Sequence, residues 1–287
     1  MLNSAIGILF YYLLPNHLVW QMLSQGEKKI ILDACYLHNN TQYARIQDYD
    51  SEHNRTLPAK ETKEGKIVQY VLKKYSPSSV LEVGPGNGLY SRLILDYPSV
   101  KEYTAIDIVE PCINYIRNNV LLENEHSKTE LICGDLLAQD FNNKKFSLII
   151  FISSLHHIPY RTEVVKKCVS LLNENGYIVF IEARHGIPRI LLLLRKFIKY
   201  YHKKEYWLNR EHLSTHHSLT LLEIRHIAAK CKLRILELFF FTARGERYFK
   251  CFLDRRLSFS CWPHFIPLSL FSQYVYVSFS KTKGTDA

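Results

Sequence analysis

Apolar positions along the chain alternate between two rhythms. Short, mostly apolar runs recur at Val80–Val83, Tyr103–Ile106, Glu130–Cys133, Phe146–Ile152 and Tyr177–Glu182. Runs of this length and composition suit strands buried on both faces of a parallel sheet. Between them the apolar positions keep helical spacing. Ile67, Val68, Val71 and Leu72 form one stripe of a helix predicted over Thr62–Tyr75 and closed by Pro77. Cys112, Ile113, Ile116, Val120 and Leu121 form a second, and Thr162–Leu172 and Leu219–Cys231 read as two more helices. Five strands alternating with helices predict an α/β domain whose parallel sheet is covered on both sides. Right-handed crossovers then bring the carboxyl ends of all these strands to one edge. Two later strands, Leu233–Phe241 and Tyr274–Ser280, have a helix-poor connection that fits an antiparallel finish.

That shared edge collects the glycines and acids. The first strand runs into Gly84, Gly86 and Gly88, and Leu89–Leu95 reads as the opening of a helix. A strand, a glycine-rich turn and a helix in succession make a nucleotide site. Glycine lets a ligand approach the backbone, and the helix N-terminus leaves amide groups free to bind it. Asp107 ends the second strand about twenty residues further on, where an acid reaches both hydroxyls of a ribose. The third strand ends in Gly134-Asp135, and the fourth in Ser153-Ser154-Leu155-His156-His157.

Taken in order, these segments resemble the class I S-adenosylmethionine-dependent methyltransferases. Leu81-Glu82-Val83-Gly84-Pro85-Gly86-Asn87-Gly88 looks like that family's first motif, and Ile106-Asp107 like its ribose-binding acid. Gly134-Asp135 resembles the position beside the adenine, and Leu155-His156-His157-Ile158 the segment after strand four. The resemblance covers about Lys66 to Glu182. It implies a Rossmann-like three-layer sandwich, with a seven-stranded, mostly parallel sheet, an antiparallel last strand and helical lid inserts. It also implies S-adenosylmethionine as cofactor. Gly84, Gly86 and Gly88 would shape the floor of its site, with Glu82 near the methionine amine and Ser153 at the end of strand four. Asp107 would hold the ribose, Asp135 the adenine amino group, and Ile108 and Leu136 the adenine faces. A dinucleotide dehydrogenase is the competing reading, but Leu89 stands where its third glycine belongs. One departure concerns strand four, where the family often has an acid after the opening Phe and this chain has Ser147. That position is structural.

Residues 1–61 read as an N-terminal helical or lid segment, and 62–287 as the methyltransferase domain with inserts at 184–218 and 243–273. Ile6–Leu14 is too short to span a bilayer. Two readings fit it and the following Leu18–Leu23: short helices packed on the core, or an interfacial anchor. Tyr36–Leu57 is polar with little periodicity, either a surface loop or a lid carrying Tyr43, Tyr49 and His53. In the first insert, Ile190, Leu191, Leu193, Leu194, Phe197, Ile198 and Tyr201 form an apolar stripe opposite Arg195, Lys196, Lys199, Lys203 and Lys204. Such a helix suits a membrane interface, a hydrophobic acceptor pocket or an ordinary lid. The second insert is aromatic, with Phe249, Phe252, Phe259, Trp262, Phe265 and Phe271. It would wall an acceptor site or form a satellite core.

Charge sharpens this division. The net +10 resides in residues 184–256, where 17 basic residues face 6 acidic ones. The preceding 183 residues are near neutral. Such asymmetry suits an anionic partner, whether nucleic acid, membrane surface or acidic substrate, or a plain solvated face. Seven cysteines without a Cys-x-x-Cys pair argue against a disulfide framework or zinc site, and for a reducing, cytoplasmic setting.

His156 and His157 are the ionisable pair directly after a strand end and the candidate general bases. The competing reading has one capping the turn while the other packs. His212, His216 and His217 lack a completing carboxylate or cysteine, so no metal is expected. No Asn-Pro-Pro-Tyr-like sequence follows strand four to hold a flipped base, which argues against nucleic acid as acceptor. The sequence thus predicts a methyltransferase acting on oxygen or another heteroatom of a small, largely apolar or lipid acceptor, peripheral to anionic membranes. A non-catalytic cofactor-binding subunit and an RNA-directed enzyme are the alternatives.

Overall fold

The computed structural model describes residues 14, 16–43, 58–122, 128–183, 198, 202, 219–241 and 274–282. Two helices come first, α1 (Asn16–Met22) and α2 (Gln25–Tyr43). A 3-10 turn, Ala59–Glu61, leads into α3 (Lys63–Tyr75). The α/β succession follows: β1 (Ser79–Val83), α4 (Ser91–Leu95), β2 (Glu102–Asp107), α5 (Glu110–Asn119), β3 (Thr129–Cys133) and β4 (Phe146–Ile152). After a 3-10 turn at Leu155–His157 come α6 (Arg161–Leu171), β5 (Leu172–Ala183), α7 (Leu221–Lys230), β6 (Leu233–Phe241) and β7 (Tyr274–Lys281).

The seven strands form one sheet in the order β3-β2-β1-β4-β5-β7-β6. β1 to β5 pair in parallel, and β7 inserts antiparallel between β5 and β6. The seven strands, and the antiparallel last one, are as the sequence predicts. Alternation of strand and helix fails at one crossing, because residues 134–145 between β3 and β4 contain no α-helix. Asp140, Asn142 and Asn143 stand there, with positive φ at both asparagines, and turns replace the helix. β5 also begins at Leu172, ahead of the predicted Tyr177. Leu172 already pairs with Phe146, and the register shifts before Leu148 meets Tyr177.

Each inner strand is apolar on both faces, and successive residues divide between two cores. Leu81, Ile149, Phe151, Ile178, Phe180 and Val277 enter the layer that includes α6 and α7. Val80, Leu148, Ile150, Val179 and Ile181 enter the layer that includes α3 and α4. The α3 stripe is the predicted one, with Ile67, Val68, Val71 and Leu72 all buried. Thr62 caps its start by accepting from the Gly65 N–H at 3.0 Å, and Ser76 ends it in left-handed conformation before Pro77. Ser147 accepts from the N–H groups of Ser78 and Ser79, each at 3.0 Å, and donates to the Ser79 carbonyl at 2.8 Å. A hydroxyl in place of the family's acid therefore ties β4 to the entry of β1.

α1 and α2 share a small core of Val19, Leu23 and Ile31. Asn16 anchors the pair to the domain by donating to the Pro159 carbonyl at 2.7 Å. Tyr36–Tyr43 belongs to α2, which corrects the reading of that part of Tyr36–Leu57 as a surface loop or lid of little periodicity. The helix starts on the apolar anchor Ile30, Ile31, Ala34 and propagates past it, since each further residue adds a bond to an existing nucleus. Residues 6–13, Tyr49, His53 and both inserts lie outside the described residues, apart from Ile198 and His202.

Candidate active site

The strand ends converge on one edge. β1 delivers Gly84, Gly86 and Gly88, all with positive φ, at 70°, 58° and 73°. Only glycine adopts such a run without strain. Space is equally restrictive. A Cβ on Gly84 would stand 2.7 Å from the Ser154 Cβ, and one on Gly88 would stand 2.8 Å from Cγ1 of Ile116 on α5. Gly84 is thus reserved for the approach of β1 to the end of β4, rather than for open ligand space as its position suggested. The turn is closed by the Gly88 N–H donating to the Pro85 carbonyl at 3.0 Å.

Asp107, at the end of β2, reaches across to this turn. Its Oδ2 accepts from the Gly86 N–H at 3.2 Å and its Oδ1 from the Val109 N–H at 3.0 Å. Burial pushes its carboxyl up to about 6, against backbone hydrogen bonds that favour the charged form. Glu82 lies beneath the turn, 2% exposed. Its Oε2 accepts from Ser91 at 2.8 Å and from the Tyr103 hydroxyl at 2.5 Å. Burial raises Glu82 to about 7, its two hydroxyl donors pull it down, and the charge of Asp107 raises it again. The glycine turn is therefore bracketed by two carboxylates that each resist ionisation.

Two residues past the end of β3, Asp135 is exposed and doubly held: Oδ1 by the Leu137 N–H at 2.9 Å, Oδ2 by the Tyr160 hydroxyl at 3.0 Å. Ile108 presents its side chain at the edge, 38% exposed. Leu136 does not. It is 4% exposed within the core, and its neighbour Leu137 is the open apolar residue, at 38%. The expectation that Leu136 covers a ligand face is corrected: next to Phe141, burial in the core is its stable place.

β4 ends in Ser153 with φ of 51°, a left-handed conformation uncommon for a residue with a side chain. Its N–H donates to the Ile181 carbonyl. Beyond it, Glu182 at the end of β5 is fully buried and gathers the turn around itself. Its Oε1 accepts from the N–H groups of Ser154 at 3.1 Å and Leu155 at 2.8 Å, and its Oε2 holds His156 Nδ1 at 2.6 Å. The His157 ring stands 4.2 Å from that of His156, and the His157 backbone N–H donates to the Ser154 carbonyl at 3.0 Å. The structure thus separates two histidines that the sequence left equivalent: the carboxylate orients His156, whereas His157 closes the turn.

Glu182, Tyr103, Ser91 and Tyr160 were not anticipated. Glu182 carried a signal, being an acid at the end of an otherwise apolar strand. The pairings of Tyr103 and Tyr160 had none, because they depend on which elements meet. Among the described residues no cluster of three metal-ligating side chains occurs, and no helix is long and apolar enough to cross a membrane.

Comparison with known proteins places this arrangement. A family model for a methyltransferase domain matches residues 42–237. The chain is 26% identical over 101 residues to a ubiquinone biosynthesis O-methyltransferase of Coxiella burnetii, covering 35% of this chain and 42% of that protein. It is 32% identical over 113 residues to a malonyl-[acyl-carrier protein] O-methyltransferase of Bacteroides thetaiotaomicron, covering 38% and 41%. The chain thus spans about two fifths of the curated relatives it matches. Among solved structures, the N-methyltransferase NodS of Bradyrhizobium japonicum, in complex with S-adenosyl-L-homocysteine, superposes with a TM-score of 0.56 at 14% identity, covering 87% of this chain and 99% of that one. Magnesium protoporphyrin IX methyltransferase of Synechocystis gives 0.51 at 13% identity, covering 78% and 84%. These likenesses show the fold. With the family match across most of the chain, and the glycine turn and acids at the strand ends, the chain belongs to the methyltransferase-domain family and has the class I methyltransferase fold.

Proposed function

We propose that the protein transfers a methyl group from S-adenosylmethionine to a hydroxyl or another heteroatom of a small, largely apolar acceptor. The observation that carries this reading is the meeting, on one sheet edge, of a left-handed glycine turn bound to Asp107 and a His156–Glu182 pair. The chain's own residues fit the cofactor. Two buried carboxylates with raised pKa, Glu82 and Asp107, bracket the turn, and the ionised form of each gains from a nearby cation. S-adenosylmethionine carries both an ammonium and a sulfonium, and when bound it supplies an electrophilic methyl group.

The residue roles follow from the geometry. The Gly84–Gly88 backbone forms the floor, and Asp107, already fixed by two backbone donors, presents its remaining lone pairs to the ribose hydroxyls. Ile108 covers one adenine face, with Leu137 rather than Leu136 as the second apolar contact, and Asp135 takes the adenine amino group. Ser153, in its left-handed bend, turns the chain from β4 toward the acceptor. Glu182 accepts the Nδ1 proton of His156, which leaves Nε2 as the basic nitrogen. That nitrogen removes the acceptor proton, and the buried carboxylate stabilises the imidazolium that forms. The O-methyltransferases matched over two fifths of their length support an oxygen acceptor.

The experiment is an isotope-transfer assay. Labelled S-adenosylmethionine is incubated with the protein and a lipid extract, a metabolite extract or total RNA. Label should enter the lipid or metabolite fraction. His156→Ala should lower that transfer by about 10²–10⁴, the usual contribution of a general base, with cofactor affinity retained. Label confined to RNA, or none anywhere despite cofactor binding, overturns the reading.

A further inference from the structure

A second polar site lies away from the strand ends. Helices α1, α6 and α7, with Pro159, line a partly open cavity of about 160 Å³. Its inner wall is an ion pair, with Arg161 Nη1 donating to Glu223 Oε1 at 2.8 Å and both side chains almost wholly buried. Glu223 Oε2 is buried too and has no hydrogen-bond partner among the described residues. A buried acceptor left unmatched is unfavourable by about 1–3 kcal/mol, so this wall calls for a donor.

The remaining lining carries a small positive excess. Because Glu223 is matched by Arg161, the other charged groups are Lys166 and Lys230 against Glu163. His17 and His226 also line the cavity, stacked with ring centroids 3.9 Å apart and planes at 14°. Burial holds His226 below its ordinary pKa, and Lys230 and Lys166 push it further down against Glu223 and Glu163. Two ammonium groups against one carboxylate leave one net positive charge beside the imidazole pair. Thr162 and Gln21 add neutral donors.

We propose that this cavity binds a small phosphate-bearing anion. Its oxyanion atoms would accept from Lys166, Lys230 and the imidazole pair. A P–OH, which inorganic phosphate keeps across pH 6–8 and a monoester keeps only toward pH 6, would donate to Glu223 Oε2. A sulfate or carboxylate at that pH has the charge but no such proton. The volume admits a phosphate with a small substituent. Arg161 also donates to the carbonyls of Leu155, His156 and Ile158 at 3.0–3.1 Å. One side chain therefore forms the cavity wall and supports the segment that carries His156. The inference does not depend on the methyl-transfer reading.

The test uses the full chain without cofactor, in chloride buffer, and follows the His226 imidazole by NMR between pH 6 and 8. Inorganic phosphate and glycerol 3-phosphate should each produce a saturable shift and move the titration midpoint of His226 upward. Tighter binding of phosphate identifies the free ion as ligand, and tighter binding of glycerol 3-phosphate a monoester. Sulfate should bind at least tenfold more weakly than the better of the two. Lys166→Ala with Lys230→Ala should weaken phosphate at least tenfold while Tm and S-adenosylmethionine binding stay unchanged. Absence of a saturable shift at phosphate on the order of 10 mM, an affinity near the weak end of specific binding, overturns the proposal. So does equal binding by the double variant or equal binding of sulfate.

Discussion

At the scale of single residues, three acids set the behaviour of the site. Asp107 is raised to about 6, so protonation removes a charged acceptor from the cofactor-binding turn within reach of ordinary buffers. Cofactor affinity should fall as pH drops through about 6. Asp107→Ala should reduce affinity at least tenfold at neutral pH, equivalent to about 1.4 kcal/mol by calorimetry. An unchanged affinity in the folded variant removes the assignment. Glu82 works in the opposite sense on stability. Its folded carboxyl, at about 7, lies above its ordinary 4.5, so the native state holds the proton more tightly than the unfolded chain. That contribution favours folding below about 4.5 and is lost as pH rises toward 7. In urea melts, Glu82→Gln should flatten this decline. Glu182→Gln should reduce transfer nearly as far as His156→Ala, since the amide holds the wrong imidazole tautomer in part of the population, and cofactor affinity should not change.

Elements meet at positions where substitution is read as packing. Gly88 combines a φ of 73° with a Cβ position 2.8 Å from Ile116 and 3.0 Å from Val120. Gly88→Ala therefore strains the backbone and presses on α5, and should destabilise by about 1–3 kcal/mol in a thermal melt. The α6–α7 contact depends on the Arg161–Glu223 pair. Arg161→Ala leaves a buried, uncompensated carboxylate, with an expected loss of about 3–5 kcal/mol. Adding Glu223→Leu should recover part of that loss, not all, because three carbonyls still lack the guanidinium. No recovery would show that those carbonyls, rather than the charge, dominate. Ser147 makes the complementary point: its hydroxyl serves two N–H groups without a formal charge.

Across the whole molecule, charge and apolar surface divide unevenly. Residues 1–183, which supply most of the described sheet and helices, are near neutral, whereas the basic surplus falls in residues 184–256, of which α7 and β6 are part. The amphipathic pattern at Ile190–Tyr201 lies outside the described residues apart from Ile198, so its role is a matter for experiment. We expect salt-sensitive co-sedimentation with anionic vesicles, with each surface Lys or Arg contributing about 1 kcal/mol. Charge reversal at Lys196, Lys199 and Lys203 should release the protein. Failure to sediment at low salt would leave that stretch as a soluble lid and remove the lipid reading. The N-terminal helix pair is anchored at Asn16–Pro159 and at the His17–His226 stack, close to the segment that carries His156.

The sequence by itself determined the strands, the helices α3, α5, α6 and α7, the glycine turn and Asp107, because each is written in local periodicity or in a backbone conformation only glycine tolerates; the longest helix, α2, it did not. Position along a strand was enough to place Asp135 and His156 at the edge. Tertiary structure decided the rest. Which of Leu136 and Leu137 is open depends on the core that Leu136 joins. Which histidine is oriented depends on Glu182, 26 residues away in sequence and one strand away in space. The missing helix between β3 and β4 has a local cause in Asp140, Asn142 and Asn143, but the early start of β5 and the buried Arg161–Glu223 pair follow from contacts between distant segments. No window of sequence contains both partners of such a contact, so local pattern is silent about it.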